Sequence, residues 1–239
     1  MLVLFTGGRG SGKSTIAATL YQKLDKTNFD YTHQSEWRIK VNGILKKSLY
    51  ILYFLSFFRP AICNVFFQRL HRDILYKRAK GSFARIYNPC MFSYHIHKLT
   101  NQKENCVIYE SDFITWSADK VLDGIFDPTE VQNYYSSVVL PRVGKLVIVV
   151  CLTPVEDAYK RWCAREEKTL SKDETKQWIK KRMDWMKARK EVIDVIAEIP
   201  NITVLSLNGL KTPLENSSIV EKFLLKEICF SRNTSIEIS

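Results

Sequence analysis

The chain has 239 residues, enough for one α/β domain with insertions, and its 46% hydrophobic and 26% charged residues exclude a disordered or fibrous protein. A formal charge of +11, from 36 Lys and Arg against 25 Asp and Glu, points to polyanionic partners: nucleotides, nucleic acid or an anionic membrane surface. Six cysteines without a C-x-x-C pair, with Cys106 and Cys151 in apolar runs, read as thiols of a reducing compartment and not as a disulfide framework.

Leu2 to Thr6 is an apolar run of strand length, and Ser14 to Leu24 places Ile16, Ala17, Leu20 and Leu24 on one helical face. Between them lies Gly7-x-x-x-x-Gly12-Lys13-Ser14, with further glycines at 8 and 10. Strand, glycine loop and helix in that order form a phosphate cradle. Backbone N–H groups freed of side-chain bulk curl round a β-phosphate at the helix N-terminus, the lysine reaches the β and γ oxygens, and the serine hydroxyl ligates Mg²⁺. The predicted nucleotide contacts are therefore Gly7, Gly8, Arg9, Gly10, Ser11, Gly12, Lys13, Ser14 and Thr15. A strand that begins at residue 2 leaves no room for a cleavable leader, so a cytoplasmic location is expected.

Phe29, Tyr31 and His33 alternate with polar residues and predict a second strand ending near Ser35-Glu36-Trp37-Arg38. From Arg38 to Arg85 the chain carries eleven basic residues and a single acid, Asp73, around the apolar run "LYILYFLSFF" (49–58). That run is too short to span a bilayer, which takes about 20 apolar residues. Two readings follow: a buried helix on the acceptor side of the domain, or a segment of the 44–80 region lying on the anionic inner face of the membrane. Without a recognition module such as paired stacking motifs, nucleic acid is disfavoured as the partner.

"CVIYE" (106–110) predicts a third strand that delivers Glu110 to its carboxyl end, with Asp112 two residues on. One of the two would orient Mg²⁺ through water, with Ser14 and Asp112 as the metal-side pair, and one would accept the proton of an attacking hydroxyl. Helix capping is the plain alternative for Asp112. "KLVIVVCL" (145–152) and "NITVLSL" (201–207) predict further buried strands of a parallel sheet. After the first of these, Thr153 is an N-cap candidate and Pro154 a first helical residue.

The helix that follows carries Arg161 and Arg165 four apart, hence on one face. Two guanidinium forks there suit a phosphoryl group in flight, although solvated surface charges would share the pattern. The stretch after "LSKDE" repeats apolar residues at Trp178, Trp185, Met186, Val192, Ile193 and Ile196, with Arg182 as the exception, and predicts a long amphipathic helix ending near Pro200. A polar tail is expected over 231–239. "LSLNGLK" (205–211) lacks the N-K-x-D segment that a GTPase uses to read its base, while an ATP-driven switch stays open.

"FTGGRGSGKST", the strand ending "VIYES", "CLTPVEDAYKRWCAREE" and "EKTLSKDETKQWIKKRMDWM" together resemble the thymidylate kinase-like P-loop kinases. That family includes deoxynucleoside kinases and relatives encoded beside polysaccharide genes, and the matching stretches cover roughly half the chain. The resemblance implies a three-layer α/β fold with a five-stranded parallel sheet, helices on both faces and a helical basic insert over 38–100, within one domain of residues 1–230. It further implies ATP and Mg²⁺ and a lid at about 161–172; a small-molecule or glycan acceptor and a homodimer are the remaining expected partners. Lys13, Glu110, Asp112, Arg161 and Arg165 would form the catalytic set, and Glu36 falls where deoxynucleoside kinases keep a carboxylate near the acceptor hydroxyl. The pattern departs at Arg9, where thymidylate kinases usually have Asp, and at Glu110-Ser111, where they have an acid followed by Arg. The acceptor loop is replaced by "SEWRIK" (35–40), which leaves Arg9 or Arg38 to take over the missing phosphate clamp.

Overall fold

The computed structural model describes residues 1–24, 29–33, 106–110, 113–124 and 126–234. Glu36, Arg38, Asp112, the apolar run at 49–58 and the basic insert therefore lie outside the described residues, as does the side chain of Glu110.

Strands β1 (Leu2–Thr6), β2 (Phe29–His33), β3 (Cys106–Glu110), β4 (Leu146–Leu152) and β5 (Ile202–Asn208) pair in parallel in the order β2-β3-β1-β4-β5. Between β1 and β2 runs α1 (Lys13–Lys23). Helices α2 (Phe113–Leu122) and α3 (Pro128–Tyr134) follow β3. A π-helical turn (Tyr135–Val139) then leads into α4 (Leu140–Val143). Next come α5 (Val155–Glu166) and α6 (Lys172–Ala197) between β4 and β5, and α7 (Pro213–Thr234) follows β5, continuing past the expected start of the tail at Ser231.

The central strands β1 and β4 are buried along nearly their whole length because both faces of the sheet are covered, as parallel crossover connections require, whereas the edge strands β2 and β5 carry polar residues. Side chains alternate faithfully. Leu2, Leu4, Val107, Tyr109, Leu146, Ile148 and Val150 pack with α2, α3 and the Val192, Ile193 and Ile196 stripe of α6. Val3, Phe5, Ile108, Val147, Val149 and Cys151 pack on the other face with Ile16, Ala17 and Leu20 of α1 and Val220 and Leu224 of α7. The expected three layers are present.

Register fixes where the chemistry sits. Phe5 pairs with Glu110 and Thr6 with Val150, so the carboxyl ends of β1, β3 and β4 line up at one edge, beneath the glycine loop.

Helix α6 starts with a capping box: the Ser171 side chain accepts from the Glu174 N–H, and the Glu174 carboxylate accepts from the Ser171 N–H at 2.8 Å. These bonds hold the Glu174 carboxyl below its usual range. Trp162 on α5 stacks on Trp178 of α6 at 5.5 Å and 17°, and Tyr159 contacts both rings. The expected lid, 161–172, thus comprises the second half of α5 and a short link whose two ends an aromatic cluster ties together. Among the described residues no helix is long and apolar enough to cross a membrane.

Candidate active site

Leaving β1, the chain turns back on itself, with Ser11 N–H donating to the Gly8 carbonyl at 3.1 Å, and enters α1 through Gly12. Gly10 and Gly12 have φ of +79° and +80°, the left-handed region in which a Cβ is strained. Gly10 has a second reason to be glycine. A Cβ there would stand 2.3 Å from the Ala158 carbonyl oxygen, so the loop rests directly on the first turns of α5.

Thr153 was the expected N-cap of α5, but the structure corrects this: Pro154 takes the cap position without a side-chain bond. The Thr153 hydroxyl instead donates to the Ser11 carbonyl at 3.2 Å, in a buried position. It is held there from the other side by Gly209, whose N–H donates to the Leu152 carbonyl at 2.6 Å and whose missing Cβ makes room for the Thr153 hydroxyl. A buried polar side chain is best spent where a carbonyl needs a donor, and the loop backbone supplied one.

Helix α1 has no acid in its first turn, so the positive end of its dipole stays available to an anion. Lys13, Ser14 and Thr15 occupy that turn, with the Ser14 and Thr15 side chains exposed on it. A loop this free of Cβ atoms, ending in a lysine and a hydroxyl at a helix N-terminus, fits a polyphosphate with a divalent cation.

The structure carries Arg161 to this loop: its Nη1 lies 3.9 Å from where a Gly12 Cβ would be. Arg165, one helical turn on, is exposed and donates from Nη2 and Nε to the Glu166 carboxylate at 2.8 and 3.1 Å. The two therefore share a helix face without converging on the loop.

A further arginine, absent from the residues the sequence singled out for the site, reaches it from α6, with a second, Arg189, behind it. The guanidinium of Arg182 lies against Gly8, with Nη2 1.3 Å from the position a Cβ would take. Trp185 is 6% exposed and carries Arg182 on its ring at 4.2 Å and Arg189 at 5.0 Å, while its indole N–H points at the Thr115 carbonyl of α2. Arg189 is buried, and burial lowers its pKa. Burial also brings Arg182 down to about 10, with the charge of Arg189 and, more weakly, Arg9 acting in the same direction and Asp119 opposing them. The sequence held one signal for this arrangement: Arg182 breaks the apolar stripe of α6, where a charge has to be accounted for.

No family model and no curated protein matches the sequence. Among solved structures, deoxyadenosine kinase from M. mycoides with bound dATP is similar at 13% identity and a TM-score of 0.48, covering 94% of this chain and 99% of that one. Shikimate kinase from Acinetobacter baumannii in complex with shikimate is similar at 14% identity and a TM-score of 0.45, covering 95% and 93%. At these values neither similarity assigns a family, and the chemistry of the site rests on its own residues.

Proposed function

We propose that this protein is an ATP-dependent kinase of the thymidylate kinase-like kind, transferring the γ-phosphate to a small acceptor of nucleoside monophosphate, nucleoside or sugar type. The observation that carries the reading is the loop itself: two left-handed glycines and a helix N-terminus with Lys13 and Ser14 in its first turn, at the carboxyl edge of a parallel sheet.

In this reading the loop N–H groups and Lys13 hold the donor phosphates. Mg²⁺, held through Ser14 with Asp112 on its water side, would supply charge neutralisation at the β and γ oxygens. Glu110 stands at the end of β3, opposite Phe5 of β1 and next to the loop, and it or Asp112 accepts the proton of the acceptor hydroxyl. Arg161 brings positive charge to the loop from α5, and Arg165 joins it when it leaves Glu166. Catalysis is positioning and charge stabilisation with little covalent work by the protein. On the acceptor side, Glu36 and Arg38 are the proposed contacts.

The test incubates the protein with Mg²⁺ and γ-labelled ATP in an extract of its own cells and separates aqueous from lipid phases. Label on a small soluble product that disappears in Lys13→Ala supports the proposal. Label in the lipid phase would move the acceptor to a lipid-linked glycan. Inorganic phosphate alone, or turnover unchanged in a folded Lys13→Ala, would overturn the kinase assignment.

A further inference from the structure

We propose that Arg182, projected from α6 and pinned between Gly8 and the Trp185 ring, binds the terminal phosphate of the nucleotide seated in the glycine loop. The inference rests on the nucleotide reading above and adds a residue from outside both the loop and α5.

Three observations converge on it. The Arg182 guanidinium lies so close to Gly8 that no side chain could stand there without displacing it, which places a planar cation on the lip of the loop. Its orientation is fixed: Trp185 presents its ring at 4.2 Å, and that ring is itself held by burial and by the hydrogen bond to α2. Its surroundings also crowd the cation, with Asp119 as the opposing charge among the groups that act on it. The buried Nε of Arg182 has no hydrogen-bond partner among the described residues, and two of the charged groups acting on it are Arg189 and Arg9, both of its own sign.

Burying a cation beside other cations is costly unless an anion arrives. The nearest built anion site is the loop that Arg182 touches. Since the loop amides and the helix N-terminus take the inner phosphates, the lip formed by Gly8 and Arg9, on the strand side of the loop, borders the outermost one. A guanidinium fork suits it because two parallel N–H donors match two phosphate oxygens. Trp185 and Arg189 act as positioning residues, the first by stacking and the second by packing over the same ring.

The test measures Mg²⁺-ATP and Mg²⁺-ADP affinity by calorimetry for the wild type, Arg182→Ala and Arg182→Lys. A contact to the terminal phosphate weakens ATP binding by roughly ten- to a hundredfold in Arg182→Ala, the range of a charge-assisted hydrogen bond, and leaves ADP within about threefold. Arg182→Lys, which keeps the charge and loses the fork, should fall between the two, and it serves alone if the alanine variant does not fold. Equal loss of ATP and ADP would show that Arg182 only braces the loop and would overturn the proposal. Undiminished ATP binding would do the same. A wild type that binds neither nucleotide would refute the nucleotide reading itself, and this inference with it.

Discussion

Three of the four glycines of the loop, Gly8, Gly10 and Gly12, should respond to alanine in different ways, because the structure gives each a different obstacle. At Gly12 the obstacle is conformational: φ is +80° and the nearest foreign atom to a Cβ is 3.9 Å away, so Gly12→Ala should cost about 1–2 kcal/mol, the left-handed penalty alone. At Gly10 the same penalty is joined by a collision at 2.3 Å with the Ala158 carbonyl oxygen, which is backbone and can retreat only by moving α5. Overpacking of that kind adds about 1–3 kcal/mol, for a total of roughly 2–5. At Gly8 there is no positive φ, and the collision is with the end of a long side chain. The guanidinium must then leave the Trp185 ring, with a loss of about 0.5–2 kcal/mol in stability but a loss of ATP affinity matching that of Arg182→Ala. Urea unfolding without nucleotide ranks the three variants, and in a chain of this size each kcal/mol moves the thermal midpoint by about 2–4 °C. Combining Gly8→Ala with Arg182→Ala should lose little beyond either single change, since both remove one contact. The reasoning fails if Gly12→Ala is as destabilised as Gly10→Ala, or if the effects of Gly8→Ala and Arg182→Ala on ATP affinity simply add.

Thr153→Val keeps the shape of the side chain and removes the donor to the Ser11 carbonyl; it should cost about 1–3 kcal/mol in urea unfolding, as expected for a buried acceptor left without its partner. A loss near zero would mean that the bond does not hold the loop. Burial pushes the Cys106 thiol from 9.0 up to about 12, so the folded state favours the neutral form. Its contribution is complete below pH 9 and declines as pH rises toward 12, because the unfolded chain releases the proton first. Cys106→Val should accordingly show a smaller fall in unfolding midpoint between pH 9 and 10.5 than the wild type, and identical slopes would refute the assignment. Mass-mapped alkylation of the native protein at pH 8 should modify the half-buried Cys163 before Cys106 or Cys151.

How much of this was legible in the sequence depends on which physical rule governed each residue. The strands could be read because burial in a covered sheet demands apolar, β-branched runs, and β1, β3, β4 and β5 fall within a residue of their expected limits. The loop could be read because a positive φ, as at Gly10 and Gly12, favours glycine, and a spacing of glycines survives in one dimension. Thr153 could not. A threonine before a proline at a helix start satisfies the local rule for a cap, and only the approach of the glycine loop, 142 residues away in sequence, offers its hydroxyl a better acceptor. Arg161 and Arg165 share a face by helical geometry, yet Glu166 engages one and the loop is near the other, a division that periodicity does not contain. Arg182 lies between these cases. Its position in the apolar stripe of α6 says that it points inward, toward the sheet and not to solvent, and an inward arginine must meet an anion or an aromatic face. The sequence thus states the requirement, and Trp185, one turn on, meets half of it. The other half depends on where α6 crosses the sheet, and there the crossing delivers the guanidinium to Gly8.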